Sequence, residues 1–132
     1  NDSKTTKHPE SEICLAIAEE AMRGDTEKAT THYFQALSEH PSLKIDRRTH
    51  HLIGSTLLQN NKTSEGVEVF ERYLSQHKEA KDCPEVALLL AAKYAKNLDN
   101  PKRATELLKA YTKKLSEQHQ ELARKIESEL SE

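Results

Sequence analysis

The sequence predicts an all-α fold, a helix-turn-helix solenoid of three units closed by a C-terminal capping helix. Leu, Ala, Glu, Lys, Ser and Thr dominate 132 residues that hold only three Gly and four Pro, which suits helices joined by short turns rather than a many-stranded sheet. A register of small and apolar residues recurs three times, as Ala29, Tyr33, Ala36, then Gly66, Phe70, Tyr73, then Ala104, Leu108, Tyr111. Its anchors at 29, 66 and 104 lie 37 and then 38 residues apart, a period that marks stacked helical repeats. Within each set the residues four and seven after the small one share its helical face. The small residue lets another helix approach closely.

The elements follow in order. Residues 1–8, Asn-Asp-Ser-Lys-Thr-Thr-Lys-His, have nothing apolar to bury and are expected to be disordered. One domain follows over 9–132, with units at about 10–43, 47–80 and 84–116 and a capping helix at about 117–131. Pro9 suits the first turn of the opening helix, where its missing N–H has no partner in any case. Each unit pairs an upstream stripe (Ile13, Ile17, Ala21; Ile53, Gly54, Leu57; Leu90, Ala91, Tyr94) with its anchor set. Asp25 is expected to cap the second helix and Thr63 the fourth. Asp82-Cys83-Pro84-Glu85 reads as a variant capping box for the fifth, with Cys83 in the turn, and Asn100-Pro101 as cap and first turn of the sixth. After Tyr111 the stripe runs on through Leu115, Leu122, Ile126 and Leu130. A break near Ser116 is favoured over one long helix, because the end of a stack needs a polar-backed cap.

Composition narrows the function classes. The 20 basic residues nearly cancel 22 acidic ones, for a net charge of −2, and without a basic block no nucleic-acid partner is expected. The longest apolar run, Val86 to Ala92, falls short of the roughly 20 residues a bilayer span needs, so no membrane insertion is expected. Cys14 and Cys83 show neither metal-ligand spacing nor a disulfide framework. That favours a reducing compartment, hence the cytoplasm or the cytoplasmic face of a membrane-attached parent protein.

The register resembles the tetratricopeptide repeat (TPR) family over residues 10 to about 116. Unit one matches through Gly24, Ala29, Tyr33, Ala36 and Pro41, and unit two through Ile53, Gly54, Leu57, Gly66 and Phe70. Unit three matches through Leu90, Ala91, Tyr94, Ala104 and Leu108, with one extra residue around Asn97 to Asn100. Glu20 stands where an aromatic is usual, and the period exceeds the family's, mainly through Ser42 to Asp46 and Lys78 to Asp82. The resemblance implies a right-handed α-α superhelix whose first helices line a concave groove that holds a protein or peptide. By register the groove positions are Cys14 and Ala18, then Arg48, His51, Ser55 and Gln59, then Leu88, Ala92 and Lys96. Relatives that clamp chaperone tails carry Lys and Asn in unit one and Lys and Arg in unit three. Cys14, Ala18, Glu85 and Leu89 stand there instead, so that ligand is not expected.

Chemistry-bearing constellations are sparse. His50 and His51 point about 100 degrees apart on a helix, and neither has a His or Cys four residues away, so no metal is expected. The glycines stand singly at 24, 54 and 66, which gives no phosphate loop. Cys14 lies in an apolar stripe without a nearby His, and Glu19-Glu20 are expected to pair with Arg23. The reading is a non-enzymatic interaction module without cofactor, with self-association as a homodimer the alternative and RNA binding by a helical repeat a weaker one. The aromatics are expected in the core.

Overall fold

The computed structural model describes residues 9–131; the expectation for residues 1–8 falls outside the described residues. The chain is all-helical there, with seven α-helices and no strand among the described residues. They are α1 (Pro9–Met22), α2 (Thr26–Glu39), α3 (Arg47–Gln59), α4 (Thr63–Gln76), α5 (Cys83–Lys96), α6 (Pro101–Tyr111) and α7 (Glu117–Leu130). None is long and apolar enough to cross a membrane.

Side-chain caps start α2, α3 and α6. Asp25 accepts from the Lys28 N–H at 3.3 Å and Asn100 from the Arg103 N–H at 3.1 Å, each satisfying a donor the helix leaves free. Asp46 caps α3 through the Thr49 N–H at 3.1 Å and the Thr49 hydroxyl at 2.6 Å. Two expected caps are corrected. Thr63 is already the first residue of α4, and the cap position falls to Lys62, which makes no side-chain cap bond. Asp82 sits at the cap of α5 but makes no cap bond either, because its carboxylate is drawn to the Tyr73 hydroxyl at 2.6 Å. Cys83, expected in the turn, is the buried first residue of α5, its thiol donating to the His77 carbonyl at 3.2 Å.

The stripe after Tyr111 does break. A 3-10 turn at Thr112–Lys114 leads to Leu115 in extended conformation, and Ser116 caps α7 by accepting from the His119 N–H at 3.4 Å. Ser116→Ala is expected to cost about 1 kcal/mol. Urea denaturation reads that loss, and faster amide exchange confined to the first turn of α7 would place it at the cap.

Packing divides into two cores that meet at α4. Ile17, Tyr33, Leu43, Ile45, Ile53 and Val69 centre the N-terminal one, and Phe70, Tyr73, Leu90, Ala104, Leu108 and Ile126 the C-terminal one. α4 thus sends Val69 to one side and Phe70 to the other. The expected aromatics fall in or against these cores, with Tyr33, Phe70 and Tyr73 fully buried and Phe34, Tyr94 and Tyr111 packed at their edges. Two glycines set the approach of α3 to α4. A Cβ on Gly54 would lie 2.8 Å from the Phe70 ring, and one on Gly66 2.6 Å from the Leu58 side chain.

Polar contacts join the helices where apolar packing thins. Arg103 on α6 grips Glu71 on α4 in a two-pronged pair at 2.7 and 2.8 Å, and Tyr94 on α5 donates to the same carboxylate at 2.6 Å. Planar guanidinium and carboxylate match in this geometry. Glu20 is buried and pairs with His32 on α2 at 3.1 Å, so the expected partner Arg23 is replaced by one across the helix pair. α1 packs on α2 and α3, and α7 on α5 and α6; α3 and α5 do not touch along their lengths and are joined through α4.

Candidate interaction face

Among the described residues every large apolar side chain that stays exposed lies on an odd-numbered helix: Leu15 (60%) and Met22 on α1, Leu52 (41%) on α3, Leu89 (38%) on α5 and Leu122 on α7. Leu15, Leu52 and Leu89 stand 37 residues apart twice over, so one position of the repeat presents leucine to solvent three times. A scattered exposed leucine is ordinary; three in one register are a surface feature.

Clefts run beside this ladder. One of about 620 Å³ lies between α1 and the segment before α3, lined by Cys14, Leu15, Ala18, Lys44 and Asp46. A second of about 390 Å³ between α1 and α3 is lined by Ala18, Met22, Arg48 and Leu52. A third of about 500 Å³ between α3 and the start of α5 is lined by Arg47, Arg48, His51, Leu52, Ser55 and Asp82.

The residues mapped by register fare unequally. Cys14 and Ala18 share the first cleft, Ala18 and Arg48 the second, and Arg48, His51 and Ser55 the third. Gln59 is exposed at the end of α3, and Lys96 at the end of α5. Leu88 is corrected. It is only 6% exposed and packs in the C-terminal core, while the next residue, Leu89, faces solvent. Ala92 is half-buried against the same core. Leu88, Ala92 and Lys96 line none of the three clefts.

Electrostatics are organised at the third cleft. The Tyr73 hydroxyl donates to Asp82 at 2.6 Å and accepts from Arg47 at 3.2 Å, and Arg47 stands 3.8 Å from the Asp82 carboxylate. Burial, then the bond to Asp82, pushes the Tyr73 phenol up to about 12. Burial, with Glu10 and Asp46 nearby, raises the Cys14 thiol, and the Sγ donates to the Lys44 carbonyl at 3.3 Å. That is the condition of a structural thiol, not of a thiolate nucleophile.

Ser55, His51 and Asp82 stand in the order nucleophile, base, orienter. Ser55 Oγ is 3.2 Å from His51 Nδ1, but His51 Nε2 is 3.6 Å from Asp82, beyond hydrogen-bond length. Ser55 lies inside α3, where the surrounding N–H groups donate within the helix and none is left for an oxyanion. The arrangement orients His51 on the surface of α3. Its neighbour His50 points into the N-terminal side of the helix pair, to the Val69 carbonyl at 2.7 Å. Among the described residues no three His, Cys, Asp or Glu side chains cluster as metal ligands would.

Register mapping missed the exposed Leu15 and Leu52, and also Arg47 and Asp82, while Leu89 entered it only as a clamp position. The 37-residue spacing of the leucines was the available signal, since it equals the spacing of Ala29 and Gly66. Comparison with family models, curated proteins and solved structures gave no match for this chain.

Proposed function

We propose that this chain is a protein-interaction module, a TPR-like stack in which the odd-numbered helices line a concave groove for a peptide or partner domain. The observation that carries the reading is the leucine ladder at 15, 52 and 89, of which Leu15 and Leu52 line clefts at α1 and α3. Apolar side chains left in water cost free energy that a partner recovers by covering them. The reading requires neither catalytic group nor cofactor.

Leu52→Asp tests it. Leu52 is 41% exposed, so the substitution adds charge to the face without opening the core. Circular dichroism should be unchanged, while capture of a native partner by the immobilised chain should fall at least about tenfold, the size of one good interface contact. Gln35→Asp, on the exposed side of α2, should leave capture intact. Equal capture by the Leu52→Asp chain and the unaltered one would sink the assignment of this face.

A further inference from the structure

We propose that the face takes an amphipathic helix whose apolar residues recur every heptad, with its acidic end over α3 and its basic end over α1. The proposal rests on the reading of the chain as an interaction module and adds the chemistry of the partner. Spacing gives the first argument. α1 and α3 pack directly, so their axes lie about 8–10 Å apart, and one heptad of helix rises about 10.5 Å. A helix laid across the pair therefore brings successive apolar residues to Leu15 and to Leu52.

Charge gives the second argument. α1 carries Glu10, Glu12, Glu19 and Glu20 and no Lys or Arg; α3 carries Arg47 and Arg48 and no acid; α5 is mixed, opening with Glu85 and ending with Lys93 and Lys96. Several of these charges are already matched, Glu10 by His40, Glu20 by His32 and Arg47 by Asp82, and Glu12 is engaged as well. Glu19, Arg48 and Lys96 are exposed, and no ion pair to another described residue forms at any of the three. The face thus runs from negative at α1 to positive at α3, and a partner of opposite polarity is attracted across that pair. The clefts separate one helix from the next, which suits side chains inserted from a single narrow element better than the broad flank of a second copy.

The probe is a designed, fluorescently labelled peptide of about three heptads, with leucine at one heptad position, glutamates in its N-terminal half and lysines in its C-terminal half. A control peptide of equal composition has its leucines moved off the heptad. Anisotropy titration should show the heptad peptide binding at least about tenfold more tightly than the control. Arg48→Glu should weaken the heptad peptide about tenfold, and a peptide with lysines in place of the glutamates should recover that loss. Leu52→Asp should abolish binding, with circular dichroism confirming that each variant is folded. Equal binding of heptad and control peptides, or indifference to Arg48→Glu, would overturn the proposal. So would sedimentation as a dimer that Leu52→Asp dissociates, since a second copy would then hold the face. If neither peptide binds while Leu52-dependent capture persists, the helix is wrong and the interaction module stands.

Discussion

Phe70→Ala is expected to lower the unfolding free energy by about 3–5 kcal/mol, the range for truncating a buried aromatic. Phe70 is fully buried on α4, with its ring edge-on to His51 at 5.1 Å and to Tyr73 at 6.0 Å between centroids. Its ring also fills the space over Gly54, where a Cβ would sit 2.8 Å away. Removing the ring leaves a void that α3 cannot close by itself, because Gly66 already brings α4 against Leu58 on its other turn. The complementary change reaches the same contact from the opposite side. Gly54→Val should cost about 1–3 kcal/mol by overpacking, since the added methyls meet a rigid ring.

The pair makes a cycle. If Phe70 and Gly54 are one contact, Gly54→Ala should be less damaging in a Phe70→Leu background than alone, with an interaction energy of about 0.5 kcal/mol or more. Urea unfolding with unchanged m-value reads these costs. A loss below about 1 kcal/mol for Phe70→Ala would mean that the two cores are joined elsewhere than at α4.

The anchor residues were legible because they obey local rules. Asp25 and Asn100-Pro101 announce helix starts by cap chemistry, and Gly66, four residues before Phe70, announces close helix approach. The turn at 97–100 is one residue longer than those at 23–25 and 60–62, as the shifted third anchor required. What escaped the sequence is what tertiary competition decides. Asp82 has the chemistry of a cap, yet the Tyr73 hydroxyl and the Arg47 charge arrive from other helices and claim its carboxylate. The face of α5 escaped for another reason. From Val86 to Ala92 every residue is apolar, so periodicity carries no polar marker to distinguish Leu88 from Leu89, and a register error of one residue rotates the assigned face by about 100 degrees. The candidate face was therefore found on α1 and α3, whose polar residues mark the solvent side, and displaced on α5. The opposite fates of His50 and His51 were likewise invisible, because which of two adjacent imidazoles turns inward depends on the neighbour helix.

Acidification from pH 6.5 to 4 is expected to remove about 3 kcal/mol of stability through His50. The ring is fully buried in α3, and because its partner is the Val69 carbonyl, Nε2 must be the donor, at 2.7 Å. Nδ1 then holds a buried lone pair with no hydrogen-bond partner among the described residues, and protonating it places a charge among Tyr33, Tyr73 and His77, whose ring centroids lie 5.7, 5.4 and 5.1 Å away. Burial pushes His50 down from 6.5 to about 4, opposed by the Val69 carbonyl and aided by His77, Arg72 and His51. His77 moves down as well, chiefly through burial and then through Lys44 and Arg47. A histidine whose folded value is depressed binds its proton first in the unfolded chain. Stability is therefore fully present above the unfolded value and declines as pH falls through 6.5 toward 4, below which both states are protonated and this slope ends. The depression of His50 corresponds to about 3 kcal/mol over that window at about 1.4 kcal/mol per unit. Urea midpoints measured between pH 7.5 and 4 should fall accordingly. His50→Gln keeps a donor for the Val69 carbonyl but cannot titrate, so most of the slope between pH 6.5 and 4 should vanish even if the variant is less stable at neutral pH. An equal slope in that variant would move the acid sensitivity to other groups.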